Sequence, residues 1–193
     1  MQNHKKHKKP FYRPSTLGLT LCFLTFIFSI SSVYADMSEF VDGPQIKGFG
    51  KHAPVKTATV AKDTIMKVAF DVGAPAKKGA INRRFDSLAR FINMHVASGL
   101  KTENIQLALV VHGKASLDLL DNPTYQKAHQ IDNPNKALLQ VLMQNNVQII
   151  LCGQTAAAYD IAHEQLVKGV KTELSAMTAH ALLQQQGYSV NPF

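Results

Sequence analysis

Short apolar runs, separated by segments with helical spacing, are the clearest pattern in the chain. Three of these runs have the length and the content of β-branched residues expected of buried strands: residues 65–72, 104–113 and 147–152. Continuous apolar runs of this kind are typical of parallel strands that are covered on both faces. Two shorter segments, 169–174 and 188–190, predict a fourth and a fifth strand.

Apolar residues recur at helical spacing between these runs. An amphipathic helix is predicted over about residues 82–98, ended by Gly99, with a stripe formed by Phe85, Leu88, Ile92 and Val96. Other helices are predicted over residues 114–120, 134–144, 155–166 with a break near Tyr159, and 176–186. Residues 121–132, which include Pro123, are predicted to form a long polar connection.

The order of these elements predicts the fold class. An alternation of strands and helices is typical of an α/β protein with a mostly parallel sheet, here of about five strands, and with helices on both faces. We therefore divide the chain into a signal peptide (residues 1–35), an N-terminal arm (36–64) and one α/β domain (65–193). The 158 residues beyond the signal peptide suffice for a single domain with its own core.

The first 35 residues have the three parts of a secretory signal. A basic region with four lysines and Arg13 precedes an apolar region over about residues 17–33, and Val33-Tyr34-Ala35 offers a cleavage site. We expect cleavage after Ala35, a periplasmic or secreted protein, and no membrane attachment after removal of the signal. An uncleaved membrane anchor is the alternative, since the apolar region approaches the length that spans a bilayer.

The arm mixes turn residues with isolated apolar ones. We expect it to lie on the surface of the domain with Ile46, Phe49 and Val55 packed against it, or else to act as a flexible tether.

Removal of the signal changes the meaning of the net charge. The whole chain carries +8, but residues 36–193 hold 16 basic and 13 acidic residues, or +3. This balance is typical of an ordinary solvated surface and gives no support for nucleic-acid binding.

A single cysteine remains in the exported protein, because Cys22 belongs to the signal. Cys152 follows the third apolar run directly and precedes Gly153, Gln154 and Thr155. Ligands of open α/β sheets bind outside the carboxyl ends of the strands, so the position favours a functional thiol; a buried, inert thiol is the alternative. A helix beginning after Gly153 would favour the thiolate, which persulfide transfer, disulfide exchange or metal binding would need.

His112 and Gly113 end the second strand in the same manner. His112 is a candidate to stabilise the thiolate of Cys152 or to move a proton in a shared crevice, and the alternative is a neutral ring bonded to loop backbone. A hydrolase of the Cys-His type would also need an orienting group, for which the sequence offers Asp71 or Asn82.

Metal and cofactor motifs are missing from the sequence. The other histidines show no spacing typical of metal ligands, and most of them are predicted to lie on the surface or on helix faces: His52, His95, His129, His163 and His180. No glycine motif for phosphate binding lies between a strand and a helix, so we expect no cofactor.

The strand ends resemble those of a known family. Residues 67–72 (KVAFDV), 110–113 (VVHG) and 150–155 (ILCGQT) are similar to the DsrE/DsrF-like family of small sulfur-relay proteins. The resemblance covers roughly residues 65–190, and the arm segment 43–50 (GPQIKGFG) resembles that of exported members.

The resemblance implies a flavodoxin-like three-layer fold and a homo-oligomer, either a trimer or a hexamer. By position, Cys152 matches the cysteine that carries a persulfide between a sulfur donor and an acceptor protein. We therefore expect a sulfur carrier with Cys152 and His112 as its reactive residues, and with Gly113, Gly153, Gln154, Thr155 and Asn82 shaping the site. The alternative is a non-catalytic oligomer that binds a small ligand or a partner.

Overall fold

The computed structural model of the chain describes residues 39–58 and 60–191. The predicted signal peptide lies outside these residues. The elements follow in the order β1 (Met66–Val72), α1 (Arg83–Ala97), β2 (Ile105–Val111), α2 (Asn122–His129), α3 (Lys136–Gln144), β3 (Gln148–Cys152), α4 (Gly153–Ala158), β4 (Lys171–Glu173), α5 (Ala176–Gln185) and β5 (Ser189–Asn191). Short 3-10 helices lie at Thr102–Asn104, Gly113–Leu119 and His163–Gln165.

The five strands pair in the order β4-β3-β2-β1-β5, and every pairing is parallel. The predicted α/β fold with a mostly parallel sheet is therefore confirmed. Because all strands run in one direction, the C-terminal ends of β1 to β4 lie along one edge of the sheet, which we call the carboxyl edge.

The sheet separates two apolar cores, because successive strand residues point to opposite faces. Val68, Phe70 and Val72 of β1 pack into a large core with α1 and α3. Ala69 of β1 packs into a smaller core with Ala179 and Leu183 of α5. We call these two sides the α1 face and the α5 face.

The segment predicted as a polar connection contains a helix, so this prediction was wrong. The Asp121 carboxylate accepts a hydrogen bond from the Thr124 N–H (2.9 Å), and Pro123 lies in the first turn of α2. Proline is compatible with a first helical turn because no intrahelical donor is lost there. Polar composition concealed a capped helix whose buried side chain is Tyr125.

The predicted start of the following helix was two residues early. Helix α3 begins at Lys136 rather than at Pro134. The Asn133 side chain accepts from the Asn135 N–H (2.9 Å) and donates to the carbonyl oxygens of Asp118 and Leu120, so it organises the preceding turn. The break predicted near Tyr159 is present, since Asp160 has a φ of 52°.

The arm residues that the structure describes are held by one buried side chain of α1. The Asn93 Oδ1 atom accepts from the N–H groups of Ile46 (2.8 Å) and Gln45 (3.3 Å). Its Nδ2 atom donates to the carbonyl oxygens of Ile46, Phe49 and Gly50. Asn93 is fully buried, and Ile46 is 1% exposed.

The expectation that Val55 packs on the domain is wrong, because its side chain is 63% exposed. The Val41–His52 bridge joins two parts of the arm to each other. No backbone hydrogen bond joins residues 53–58 to any other described segment.

Among residues 39–58 and 60–191, no helix is both long enough and apolar enough to cross a bilayer.

We predict that Asn93→Ala lowers the free energy of unfolding by about 3 kcal/mol, since it leaves several buried backbone groups without a partner. Limited proteolysis of the variant should cut near residues 45–50 before the domain unfolds. Gln140→Ala removes an amide from an exposed position of α3 and is the matched control. Equal stability of the two variants in urea would contradict this account of the arm.

Candidate functional site

Three polar side chains lie on neighbouring strands at the carboxyl edge. Asp71 follows Ala69, His112 follows Val110 and Cys152 follows Ile150, each by two positions, and those three apolar residues all pack on the α5 face. A period of two therefore places the polar residues on the same face. The backbone of His112 is still extended (φ −144°, ψ −179°), so the alternation holds to that residue.

Cys152 ends β3 and is also the N-cap of α4. On its other side β3 pairs with β4, where Cys152 lies beside Glu173. The chain then turns into α5, which begins at Ala176. Two helices thus begin next to the thiol, and their first N–H groups have no partner within the helix.

Four donor groups surround the Cys152 sulfur atom. They are the hydroxyl of Thr155 and the backbone N–H groups of Thr155, Ala176 and Gln154. The Cys152 side chain makes no capping hydrogen bond of regular geometry in α4. The nearby N–H groups act on the sulfur through their dipoles, which stabilise a negative charge.

Burial and these donors have opposite effects on the Cys152 thiol. Burial raises its pKa, because the charged form loses hydration, while the Thr155 hydroxyl and the three N–H groups lower it. The donors outweigh burial, so the pKa of Cys152 lies below its ordinary value. The residue is only 6% exposed. The thiol is therefore buried but not in the apolar surroundings that would make it inert.

Thr155 is oriented by the strand next to it. Its Oγ1 atom accepts a hydrogen bond from the Gly113 N–H (3.2 Å), which leaves the hydroxyl hydrogen free for the sulfur. Gly113 has a φ of 54°, a conformation in which a residue without a side chain is favoured.

Gly153 allows the β4–α5 loop to approach the thiol. A Cβ atom at this position would lie 2.7 Å from the carbonyl oxygen of Glu173 and 3.1 Å from that of Leu174. Gln154 Nε2 donates to the same Leu174 oxygen (3.2 Å). Gly153 thus leaves room for this loop, and Gln154 holds it by a hydrogen bond. The loop in turn places the Ala176 N–H beside the Cys152 sulfur.

Asp71 bonds two histidines at the same edge. The Nε2 atom of His180 lies 2.8 Å from Oδ1, and the Nε2 atom of His112 lies 3.2 Å from Oδ2. Burial raises the pKa of Asp71, but the hydrogen bonds and charges of His180 and His112 outweigh it, and the pKa is lowered. The ring of His112 thus bonds a carboxylate rather than loop backbone.

Asn82 bonds a different set of groups. It caps α1 by accepting from the Arg84 N–H (3.0 Å), and its Nδ2 atom donates to Asp118 Oδ2 (2.8 Å) and to the Ala74 carbonyl oxygen. These bonds fix the β1–α1 loop. Asn82 makes no hydrogen bond to Cys152 or His112 in the part of the chain that the structure describes.

His180 is a site residue that sequence reasoning missed. It was grouped with histidines predicted to lie on the surface or on helix faces, but it reaches Asp71 from α5. Its spacing from Ala176 and Leu183 places it on the buried side of that helix, which is a signal that was available. Among the other histidines of that group, His52 departs from the prediction because it is buried in the arm, whereas His95 lies on a buried face of helix α1.

In residues 39–58 and 60–191, no group of three histidine, cysteine, aspartate or glutamate side chains is arranged to hold a metal ion.

The fold and the cysteine at the carboxyl edge define a class of α/β proteins with a strand-end thiol. Comparison with protein families makes this more specific. The DsrE/DsrF-like family model matches residues 66–192, and the chain belongs to that family. At the level of the family, this supports a protein of the sulfur-relay type.

Two solved structures are similar to this chain. MTH1491 from Methanobacterium thermoautotrophicum, described as a protein of unknown function, is 15% identical with a TM-score of 0.51, covering 66% of this chain and 99% of its own. The ychN protein from E. coli is 21% identical with a TM-score of 0.49, covering 67% of this chain and 100% of its own. The first similarity supports the fold alone. No curated protein matches the chain.

We predict that Thr155→Val raises the pKa of Cys152, because valine keeps the shape of threonine and removes a donor to the sulfur. Alkylation by iodoacetamide should be slower at neutral pH and should reach, at high pH, a plateau rate no lower than that of the wild type, since a thiolate of higher pKa is the stronger nucleophile. Thr172→Val, at an exposed position of β4, is the control. A pH profile of alkylation identical to that of the wild type would contradict the assigned role of Thr155.

Proposed function

We propose that this protein is an exported sulfur carrier that holds sulfane sulfur on Cys152 as a persulfide. The observation that carries the proposal is the set of four donors around a buried sulfur atom. Membership of the DsrE/DsrF-like family supports the same chemistry.

The transfer step follows from thiolate chemistry. The Cys152 thiolate attacks the outer sulfur of a donor persulfide, R–S–SH. An S–S bond forms to Cys152, the S–S bond of the donor breaks, and the donor leaves as the thiolate R–S⁻. The reverse reaction with an acceptor thiolate unloads the carrier. The thiolate is the nucleophile in such exchanges, so the lowered pKa increases the reactive fraction.

The burial of Cys152 suits a carrier in an oxidising compartment. A thiol that is 6% exposed is protected from disulfide formation with unrelated thiols. A donor persulfide has to bring only its outer sulfur atom into contact with the Cys152 thiol. The same burial is the observation that favours the second candidate function, a binding module in which Cys152 has no chemical role.

Export and removal of residues 1–35 belong to the proposal. The sequence pattern of that segment supports them, and so does the absence of any other cysteine in residues 36–193, which suits a carrier that must avoid internal disulfides.

We also propose a homo-oligomer, a trimer or a hexamer, that meets a donor or acceptor protein at the carboxyl edge. Three large apolar side chains on and beside α5 support this proposal, because Leu174, Met177 and Leu182 are 70%, 80% and 41% exposed. Leu174 and Met177 lie three residues apart at the start of α5, and an exposed apolar patch often marks an interface. Leu174 and Met177 flank Ala176, whose N–H faces the thiol.

The sulfur carrier is tested by intact-mass spectrometry of protein isolated from the periplasm or the medium. Incubation with polysulfide should add one or more sulfur atoms to the wild type, and a reductant should remove them. Cys152→Ser should gain none. The unmodified mass should correspond to a chain that begins at Asp36. An adduct that forms only after denaturation would refute the proposal of a sulfur carrier and favour the binding module.

The oligomer is tested by light scattering of the same preparation. The wild type should have three or six times the mass of one chain, and Met177→Glu should reduce it by placing a charge in the apolar interface. Gln185→Glu introduces the same charge at an exposed position of α5 and should leave the mass unchanged. A monomeric wild type would refute the proposed assembly.

A further inference from the structure

The transfer step described above leaves one group of polar residues at the carboxyl edge without a role. His112, Asp71 and His180 form a chain of two hydrogen bonds, which we call the histidine–aspartate cluster. The His180 side chain is 17% exposed, against 38% for His112 and 33% for Asp71. The cluster therefore has a covered end at α5 and an open end at His112.

The hydrogen bond at the covered end has a defined direction. An ionised carboxylate only accepts hydrogen bonds, so the Nε2 atom of His180 carries the hydrogen. The Nδ1 atom of His180 is buried and has no hydrogen-bond partner among the described residues. A hydrogen there would be a buried donor without an acceptor on a charged ring, which is costly. His180 thus donates from Nε2 to Asp71 and holds the carboxylate in place.

The open end is oriented by the other carboxylate oxygen. Because Asp71 Oδ2 accepts from Nε2 of His112, Nδ1 is the ring atom that can gain or lose a proton. No described residue bonds to this Nδ1 atom. The ring occupies space left by Gly73, where a Cβ atom would lie 2.6 Å from Cε1 of His112.

His112 and Cys152 are neighbours across the sheet. Val111 pairs with Leu151, so each of the two residues lies one position beyond this pair on adjacent parallel strands. Adjacent strands are about 4.8 Å apart, and both side chains lie on the α5 face. The His112 ring leans toward β1, where it lies over Gly73 and bonds Asp71. A donor whose outer sulfur contacts Cys152 can therefore place its departing sulfur beside this ring.

We propose that His112 is the general acid and base of sulfur transfer at Cys152, and that Asp71 and His180 are its positioning residues. This inference rests on the proposed sulfur carrier. It also specifies the substrate class, since it assigns to the site those donors whose leaving group is an ordinary alkyl thiolate. A thiolate leaves more slowly as the pKa of its thiol rises, so an alkyl thiol gains most from a proton supplied as it departs.

The proton balance closes over one cycle. The Cys152 thiolate attacks the outer sulfur of R–S–SH, and protonated His112 gives its Nδ1 proton to the departing sulfur. The products are Cys152–S–SH, R–SH and neutral His112. The new persulfide then returns a proton to Nδ1. The net reaction converts a thiolate and R–S–SH into Cys152–S–S⁻ and R–SH. Asp71 accepts a hydrogen bond from Nε2 of the ring throughout.

The test compares two small donors on the full chain, with rates from quenched intact-mass measurements. Cysteine persulfide has an alkyl thiol as its leaving group. Methyl methanethiosulfonate transfers a methylthio group and releases methanesulfinate, which needs no proton, so it reports access to the thiolate alone. His112→Gln should slow the persulfide reaction by about 10²-fold or more, the usual share of general acid–base catalysis. Its thiosulfonate rate should stay within about twofold of the wild type.

The positioning residues should show the same selectivity. Asp71→Asn and His180→Ala should slow only the persulfide reaction, and His180→Gln, which restores an amide donor to Asp71, should recover part of the rate. Gly73→Ala should act like the loss of His112, because its methyl group displaces the ring. His163→Gln, an exposed histidine on a 3-10 helix, should change neither rate.

Each outcome decides one of the two proposals. If His112→Gln slows both reactions equally, or slows neither, then His112 has no acid–base role and the inference is overturned. The proposal of a sulfur carrier is unaffected by that result. A wild type that reacts with neither donor would overturn the carrier itself, and the inference with it.

Discussion

The site depends on the parallel register of β1, β2 and β3. Once Val72 pairs with Val111, and Val111 with Leu151, the strand ends are level and the next side chains emerge together at one edge. The period of two then places Asp71, His112 and Cys152 on the α5 face. A shift of one residue in any strand would move its polar group to the α1 face, into the large apolar core, where a charge without a partner is costly.

The return of the chain through α5 completes the site. The crossover from β4 at one edge of the sheet to β5 at the other must pass over β3, β2 and β1. The N-terminal end of α5 therefore lies beside Cys152, where it supplies the Ala176 N–H, and one turn later His180 reaches Asp71. A single helix thus supports both the thiolate and the carboxylate that bonds the histidines.

Polar residues on the other side of β1 have a structural role instead. Burial raises the pKa of Asp118, which accepts from Asn82 Nδ2 and from the Ala76 N–H. Asn82 in turn donates its backbone N–H to Asn135 Oδ1 (2.7 Å). These bonds satisfy buried polar groups in the loops and leave none directed at an open edge. Similar residue types therefore hold loops on the α1 face and surround a reactive atom on the α5 face.

The sequence by itself determined the strands, most of the helices and the position of Cys152 at a strand end, because apolar periodicity and glycine placement are local signals. It did not predict α2, whose capping by Asp121 was concealed by polar composition. The approach of the Ala176 N–H to Cys152 and of the His180 ring to Asp71 was decided only by the tertiary structure. Ala176 and His180 are distant from these residues in sequence, and they reach them through strand order and a long crossover, which no local pattern encodes.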